Sequence, residues 1–382
     1  MSGLPQARTS LPPVTGAWKI GDPPGRRQWC AIKSPLQLES GAEIPGIQLA
    51  YETWGELSSD RSNAVLVLHA LTGDSHVSGP PEPGHPTQGW WDGLVGPGMA
   101  LDTNRWFVVA PNVLGGCQGT TGPSSRHPAL GRAWGSAFPF ITQRDQVDAE
   151  VKLADVLGVE RWALVVGGSM GGMRALEWAV SYPERTGALL VLATTAAASA
   201  EQIAWATVQI QAIRSDPNWQ GGSYHATDRG PLAGLGLARR LAHVTYRSEP
   251  DLERRFSCKA QKAEDPWRGG RYQVESYLEH HASKLLRRFD ASSYVVLTEA
   301  MNAHNVGRQR GGIRSALMRV TAPTLVAGID SDRLYPLRQQ AELARLIPSA
   351  DRLRVVESSY GHDGFLTEID QVGALLKEAL AF

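Results

Sequence analysis

Short apolar runs, mostly β-branched, recur along the chain at AVLVLHA (64–70), WFVVAPN (106–112), WALVVGG (162–168), GALLVLA (187–193), TLVAGI (324–329) and LRVVES (353–358). Their apolar character is continuous rather than alternating, which predicts strands covered on both faces, as in a mostly parallel sheet. Helical periods lie between several of them. RDQVDAEVKLADVL (144–157) places Val147, Val151, Ala154 and Leu157 on one stripe, and DQVGALLKEAL (370–380) ends the chain in the same way. Strand alternating with helix predicts the α/β class, a sheet covered by helices.

The alternation stops between about Thr195 and Arg319, where QIAWATVQIQAI, LGLARRLAHVTY and VESYLEHHASKLLRRF read as helices rich in charges and aromatics. A helical insertion at 195–319 would then separate two parts of one core, 30–194 and 320–382. Such an insertion can cover a site as a lid or present apolar faces to a second subunit. Residues 1–29 are proline-rich and lack the apolar segment of a signal peptide. They read as a poorly ordered or loosely docked arm.

Composition narrows the function more than the fold. Lys plus Arg and Asp plus Glu balance at 38 each, which gives no bulk electrostatic attraction to nucleic acid or an anionic membrane. No stretch reaches the roughly 18 uninterrupted apolar residues of a membrane span. Cys30, Cys117 and Cys258 show no CxxC spacing, which argues against a disulfide framework and a structural zinc site and suits a reducing cytosol. The histidines form no HExxH pattern, and the adjacent His280–His281 reads as a solvated helix face. No Walker A motif occurs, and GLGLA (234–238) lacks the full dinucleotide fingerprint.

The stretch VVGGSMGGMRALEW (165–178) carries the chemistry. Gly167-Gly168-Ser169-Met170-Gly171 matches G-x-S-x-G, with an apolar run ending at Val166 and a helical pattern following. In that context the serine occupies a sharp strand-to-helix turn with its hydroxyl exposed, and the helix start offers free backbone N–H groups, that of Met170 among them, to a developing oxyanion. A second donor is expected from the loop after VLVLHAL, at the backbone of Leu71.

A serine needs a base and an orienting acid, in the chain order Ser, Asp or Glu, His. DSDRLYP after TLVAGI supplies Asp330 and Asp332, between which spacing does not choose, and SYGHDGF after LRVVES supplies His362. Both loops follow strand ends, where α/β sheets gather their sites. Cys117 in NVLGGCQGTTGP is a rival nucleophile without the strand–elbow–helix context.

HALTGDSH, GWWDGLVGPG, NVLGGCQGTTGPSS, GGSMGGMRALEW, GIDSDRLYP and YGHDGF, in this order, resemble the homoserine O-acetyltransferases, acyl-CoA-dependent enzymes of methionine biosynthesis with an α/β-hydrolase fold. The resemblance runs from about residue 30 to the C-terminus. It implies Ser169 as nucleophile, Asp332 as the acid, His362 as base, Arg239 and Asp363 as substrate-binding residues, and a cytoplasmic homodimer built through the insertion. It also implies acetyl-CoA and L-homoserine as substrates, with no metal and no tightly bound cofactor. The residue types agree, because homoserine is a zwitterion with a hydroxyl and asks for a cation, an anion and a base. The motifs do not separate acetyl from succinyl transfer, or homoserine from serine as acceptor, and a carboxylesterase would use the same triad.

Overall fold

The computed structural model describes residues 12–382. Eight strands, β1 (Gln28–Ile32), β2 (Ile47–Trp54), β3 (Ala64–Leu68), β4 (Phe107–Pro111), β5 (Leu164–Gly168), β6 (Leu189–Leu192), β7 (Thr324–Ile329) and β8 (Ala350–Val356), form one sheet in the order β1-β2-β4-β3-β5-β6-β7-β8. The six apolar runs supply β3 to β8, which pair in parallel. Strands β1 and β2 join antiparallel at one edge and were not expected. Gln48, Glu52 and Thr53 interrupt the apolar pattern of β2, and Glu52 is nevertheless fully buried.

Continuous apolar strands bury both faces. Leu66, Val165, Leu189 and Val191 enter one apolar layer, whereas Val65, Val67, Leu164, Val166, Leu190 and Leu192 enter the other. Each such side chain contributes about 1.5–3 kcal/mol on leaving water. The first layer is closed by α1 (Gln143–Leu157) and α2 (Met170–Ser181). Helix α1 begins at a capping box between Thr142 and Asp145 and ends at Gly158, whose φ of 70° is the left-handed conformation that stops a helix.

Between β6 and β7 run α3 (Ala200–Arg214), α4 (Leu232–Tyr246), α5 (Glu249–Arg255), α6 (Gln273–Leu286), α7 (Ala291–Asn302) and α8 (Ile313–Leu317). Ile210, Ile213, Leu235, Leu285, Phe289 and Leu297 from this segment share a third apolar cluster with Leu71 and Met170, so the helices close directly over the turn at Ser169. The His280–His281 pair departs from the expectation of a solvated face. His280 is exposed, but His281 packs on His243 with ring centroids 3.9 Å apart, and burial pushes its pKa down to about 3. Helices α9 (Leu337–Leu346) and α10 (Ile369–Ala379) flank the last two strands.

Part of the expected arm, residues 1–11, lies outside the described residues. The rest is not loosely docked. Thr15 donates from Oγ1 to Asp290 at 2.8 Å, Gly16 N–H to the Phe289 carbonyl at 3.1 Å and Trp18 N–H to the Cys117 carbonyl at 2.9 Å. Strand β1 starts at Gln28, so the sheet begins inside the segment read as arm.

Candidate active site

The turn at Ser169 follows from space. A Cβ on Gly171 would come within 2.0 Å of the Leu68 carbonyl oxygen, and one on Gly167 within 2.3 Å of the Gly171 backbone. Only glycine lets α2 start this close to β3 and β5. Ser169 itself takes φ 56° and ψ −123°, a conformation that costs a non-glycine residue about 1–3 kcal/mol. Its N–H donates to the Leu192 carbonyl at 3.0 Å, and its carbonyl accepts from Thr194 Oγ1 at 3.0 Å, so the turn is held from β6.

Ser169, His362 and Asp332 meet in one buried relay. Ser169 Oγ donates to His362 Nε2 at 2.8 Å, and His362 Nδ1 donates to Asp332 Oδ2 at 2.6 Å. The other oxygen of Asp332 accepts from the N–H groups of Leu334 at 2.8 Å and Tyr335 at 2.9 Å. The carboxylate is thus fully partnered and fixes the imidazole tautomer. Asp330, the alternative acid, is exposed and accepts from Ser358 N–H at 2.9 Å. Burial lowers the pKa of His362, but the Asp332 charge and hydrogen bond outweigh it, and the net shift is upward. Tyr335 stacks on the imidazole with centroids 5.0 Å apart, and Phe365 meets it at 5.5 Å.

The loop after β3 is braced at its start. Arg174, fully buried on α2, pairs with Glu150 and donates to the His69 carbonyl at 2.6 Å. Trp178 Nε1 donates to the second Glu150 oxygen at 2.8 Å. His69 Nδ1 donates to the Ala70 carbonyl at 2.8 Å and Nε2 accepts from Val113 N–H at 3.1 Å, while burial holds its pKa down to about 3, so the ring is neutral. Leu71 follows and lines the cavity together with Ser169, Met173, Gln209, Tyr246, Met301 and Tyr335. Met170 opens α2, where a helix leaves its first N–H groups without intrahelical acceptors.

Arg239 and Asp363 sit on the other side. Arg239, on α4, donates from Nη1 to Thr72 Oγ1 at 3.1 Å and lies 5.7 Å over the Tyr246 ring, itself 5.8 Å from His362. Its Nε is buried without a hydrogen-bond partner. Asp363 adjoins His362 and pairs with Arg247 at 3.6 Å. Burial raises its pKa, against the opposing charges of Arg247, His362 and Arg239. Cys117 lines a separate cavity with Trp18, Gln48 and Arg126, and burial pushes its thiol far up, which removes it as a rival nucleophile. The neighbours Tyr246, Arg247, Thr72 and Tyr335 were not foreseen. Tyr246 and Arg247 lie in LAHVTYR (241–247), where no spacing says which helix face meets the cavity, and Thr72 and Tyr335 lie within HALTGDSH and GIDSDRLYP without a signal of their own.

A buried Ser-His-Asp relay on a strand–elbow–helix in a mostly parallel sheet defines an α/β hydrolase. The family model of the alpha/beta hydrolase fold matches residues 63–369. The homoserine O-acetyltransferase of Thermobifida fusca is 65% identical over 97% of both chains, and that of Mycobacterium tuberculosis is 60% identical over 90% of this chain and 91% of its own. Among solved structures, homoserine O-acetyltransferase from Bacillus anthracis superposes with a TM-score of 0.84 at 28% identity, covering 93% of this chain and 97% of that one. An acetylester hydrolase from Corynebacterium glutamicum superposes at 0.80 with 27% identity, covering 94% and 97%. The chain belongs to the homoserine O-acetyltransferase family.

Proposed function

We propose that the protein transfers an acetyl group from acetyl-CoA to the side-chain hydroxyl of L-homoserine through an acetyl-Ser169 intermediate. The observation that carries this reading is the hydrogen-bonded relay from Ser169 through His362 to Asp332, at 2.8 and 2.6 Å, in a chain of this family. His362 takes the Ser169 proton as the serine attacks the thioester carbon, and the N–H groups of Leu71 and Met170 receive the oxyanion. The C–S bond breaks, and the thiolate of coenzyme A leaves with the proton from His362. Homoserine then enters, His362 takes its hydroxyl proton, attack on the acetyl carbon breaks its bond to Ser169 Oγ, which takes the proton back from His362, and O-acetyl-L-homoserine leaves. The chemistry asks for no metal or tightly bound cofactor.

The walls support the choice of substrates. The cavity at Ser169 measures about 50 Å³, and none of the described residues lining it is charged, which suits an acetyl group better than a succinyl carboxylate. Arg239 has an unpartnered Nε for the homoserine carboxylate. Asp363, held by Arg247 from one side, is the partner for the ammonium. A cytoplasmic homodimer is part of the same proposal. Trp205 and Val208 on α3 and Leu237 on α4 leave apolar surface exposed for a second subunit, and among the described residues no helix is long and apolar enough to cross a membrane.

Incubation with acetyl-CoA, with and without homoserine, followed by mass analysis of products, tests the reading. O-acetylhomoserine formation and thiol release that depends on homoserine are expected. Equal thiol release in both would make the protein a hydrolase, and preference for succinyl-CoA or serine would overturn the substrate assignment.

A further inference from the structure

The motif NVLGGCQGTTGPSS has no part in this chemistry once Cys117 is set aside, yet it walls a cavity of its own. That cavity measures about 290 Å³ and lies between the motif, the segment before β1 and the turn at 126–133, where Arg126 and Ala133 form an antiparallel bridge. Thr120, Thr121 and Ser125 belong to its wall, and their hydroxyls are used within the fold. Thr120 Oγ1 donates to the Asn112 carbonyl at 2.8 Å, Thr121 Oγ1 accepts from Gln48 N–H at 2.8 Å, and Ser125 Oγ donates to the Gly122 carbonyl at 2.8 Å. The backbone of the wall is therefore held in place without a ligand.

The charged groups of this wall are all of one sign. Lys19, Arg126 and Arg132 line the cavity, and among the described residues lining it there is no carboxylate. None of these three side chains has a hydrogen-bond or ion-pair partner among the described residues. A Cβ on Gly131 would lie 3.5 Å from Arg126 Nη2, so that guanidinium rests against a residue of the same wall. Lys19 also borders the neighbouring cleft, where Asp22 accepts from its backbone N–H at 2.8 Å, so that carboxylate is turned to the main chain and not to the ammonium. The chain as a whole balances 38 cationic against 38 anionic side chains. Like charges gathered at one concavity focus a positive potential there and repel one another, and an anion relieves that repulsion.

The wall also selects the kind of anion. An amino acid needs an acid for its ammonium, as Asp363 stands beside Arg239, and this cavity offers none. One carboxylate would leave two of the three cations unmatched. A phosphate monoester carries about −1.5 to −2 charge at pH 7 with three acceptor oxygens, and the guanidinium fork meets such oxygens in pairs. Beside the cations the wall is apolar: Ile20 is 82% exposed, and Trp18 is held by a ring contact with Trp29 at 4.9 Å and by Nε1 donating to the Pro23 carbonyl at 3.1 Å. A flat ring attached to the phosphate can cover that surface. We propose that this cavity binds the phosphate of a mononucleotide through Arg126 and Arg132, with the base against Trp18. Its volume lies near the lower end of the roughly 300–1,000 Å³ of small-molecule sites, which suits a single nucleotide. The nucleotide is either a free one or the adenosine end of coenzyme A, and the test separates the two. Nucleotide binding itself does not depend on the acyl-transfer reading.

Calorimetric titration of the full chain with adenosine 5′-phosphate, and separately with inorganic phosphate, tests the site. Saturable binding of adenosine 5′-phosphate, tighter than that of inorganic phosphate, is expected. Arg126→Gln and Arg132→Gln should each weaken it by at least about tenfold, whereas Arg319→Gln, which removes an exposed cation elsewhere, should not. The kinetics of acetyl transfer then identify the source, and only this arm rests on the proposed function. A raised KM for acetyl-CoA at unchanged kcat in both variants assigns the site to the donor's own nucleotide, and an unchanged KM assigns it to a free one. No saturable binding, inorganic phosphate bound as tightly as the nucleotide, or equal weakening by Arg319→Gln would overturn the proposal. If the variants fail to fold, phenylglyoxal modification of wild type decides by peptide mass mapping: adenosine 5′-phosphate should protect Arg126 and Arg132, and protection of neither contradicts the site.

Discussion

The sheet side and the helical side of the region around Ser169 are built by different means. On the sheet side the groups next to the reaction are met inside the fold, Asp332 by two N–H groups and His362, and the His69 carbonyl by Arg174, which pairs with Glu150 and leaves only its Nε without a partner. On the helical side Arg239 Nε and His243 Nε2 are buried without partners, and Arg247, just past α4, reaches Asp363 beside His362 only at 3.6 Å. Groups that stabilise a transition state work best when their orientation is settled beforehand. Groups that recognise a zwitterion keep hydrogen-bonding capacity in reserve for it. Under the proposed function, acyl chemistry falls to one side and acceptor recognition to the other, and substitutions can be chosen to separate them.

The largest effect is expected at the nucleophile. Ser169→Ala should leave the fold intact and lower turnover by about 10⁶-fold, with thiol release from acetyl-CoA as the assay. Retention of a tenth of the activity would remove the sheet side from the chemistry. Asp332→Asn should cost about 10⁴-fold, because His362 loses the group that orients it, while Asp330→Asn should change little. The reverse ranking would show the wrong acid.

The pH profile sharpens the same wall. The base must be neutral, and Asp332 raises the pKa of His362, so the inactive protonated form persists to higher pH than for an ordinary histidine. The acid limb of kcat/KM for acetyl-CoA should therefore lie above the ordinary 6.5. Asp332→Asn should move it down, as followed by stopped assays across the range. An unmoved limb would mean that another group controls it.

The smallest effect is expected on the helical side. Arg239→Leu should lower kcat/KM for homoserine by at least about tenfold, since a charge-assisted contact of about 1.5–3 kcal/mol is lost. The reaction of acetyl-CoA alone should barely change. Homoserine lactone, which lacks a free carboxylate, should be a poor acceptor for wild type and lose little further in the variant. If Arg239→Leu instead slowed the step with acetyl-CoA alone, the two walls would not divide the work as described.

What could be read in the sequence follows the same division. The apolar runs of β3 to β8 and the elbow glycines are local signals, because both sheet faces are buried and Gly167 and Gly171 have no room for a Cβ. Ser169 and His362 stand out for the same reason, each just past a strand end. The choice of Asp332 over Asp330 came from resemblance, and its physical basis, one residue turned inward and the other exposed, appears only in three dimensions. Strands β1 and β2 were missed because polar residues interrupt β2, among them Glu52, which takes part in a buried cluster. Arg239 and its aromatic neighbour Tyr246 depend on how α4 packs, and periodicity alone does not give that face.

The central claim is that the acetyl group rests on Ser169 between two half-reactions. Rapid mixing of the enzyme with acetyl-CoA alone, with coenzyme A followed in time and Ser169 examined by mass spectrometry of the quenched protein, tests it most directly. A burst of coenzyme A equal to the active sites, followed by slow release, with acetyl on Ser169 that homoserine discharges as O-acetylhomoserine, is the predicted result. No burst, or an acetyl group found on another residue or left in place when homoserine is added, would contradict it.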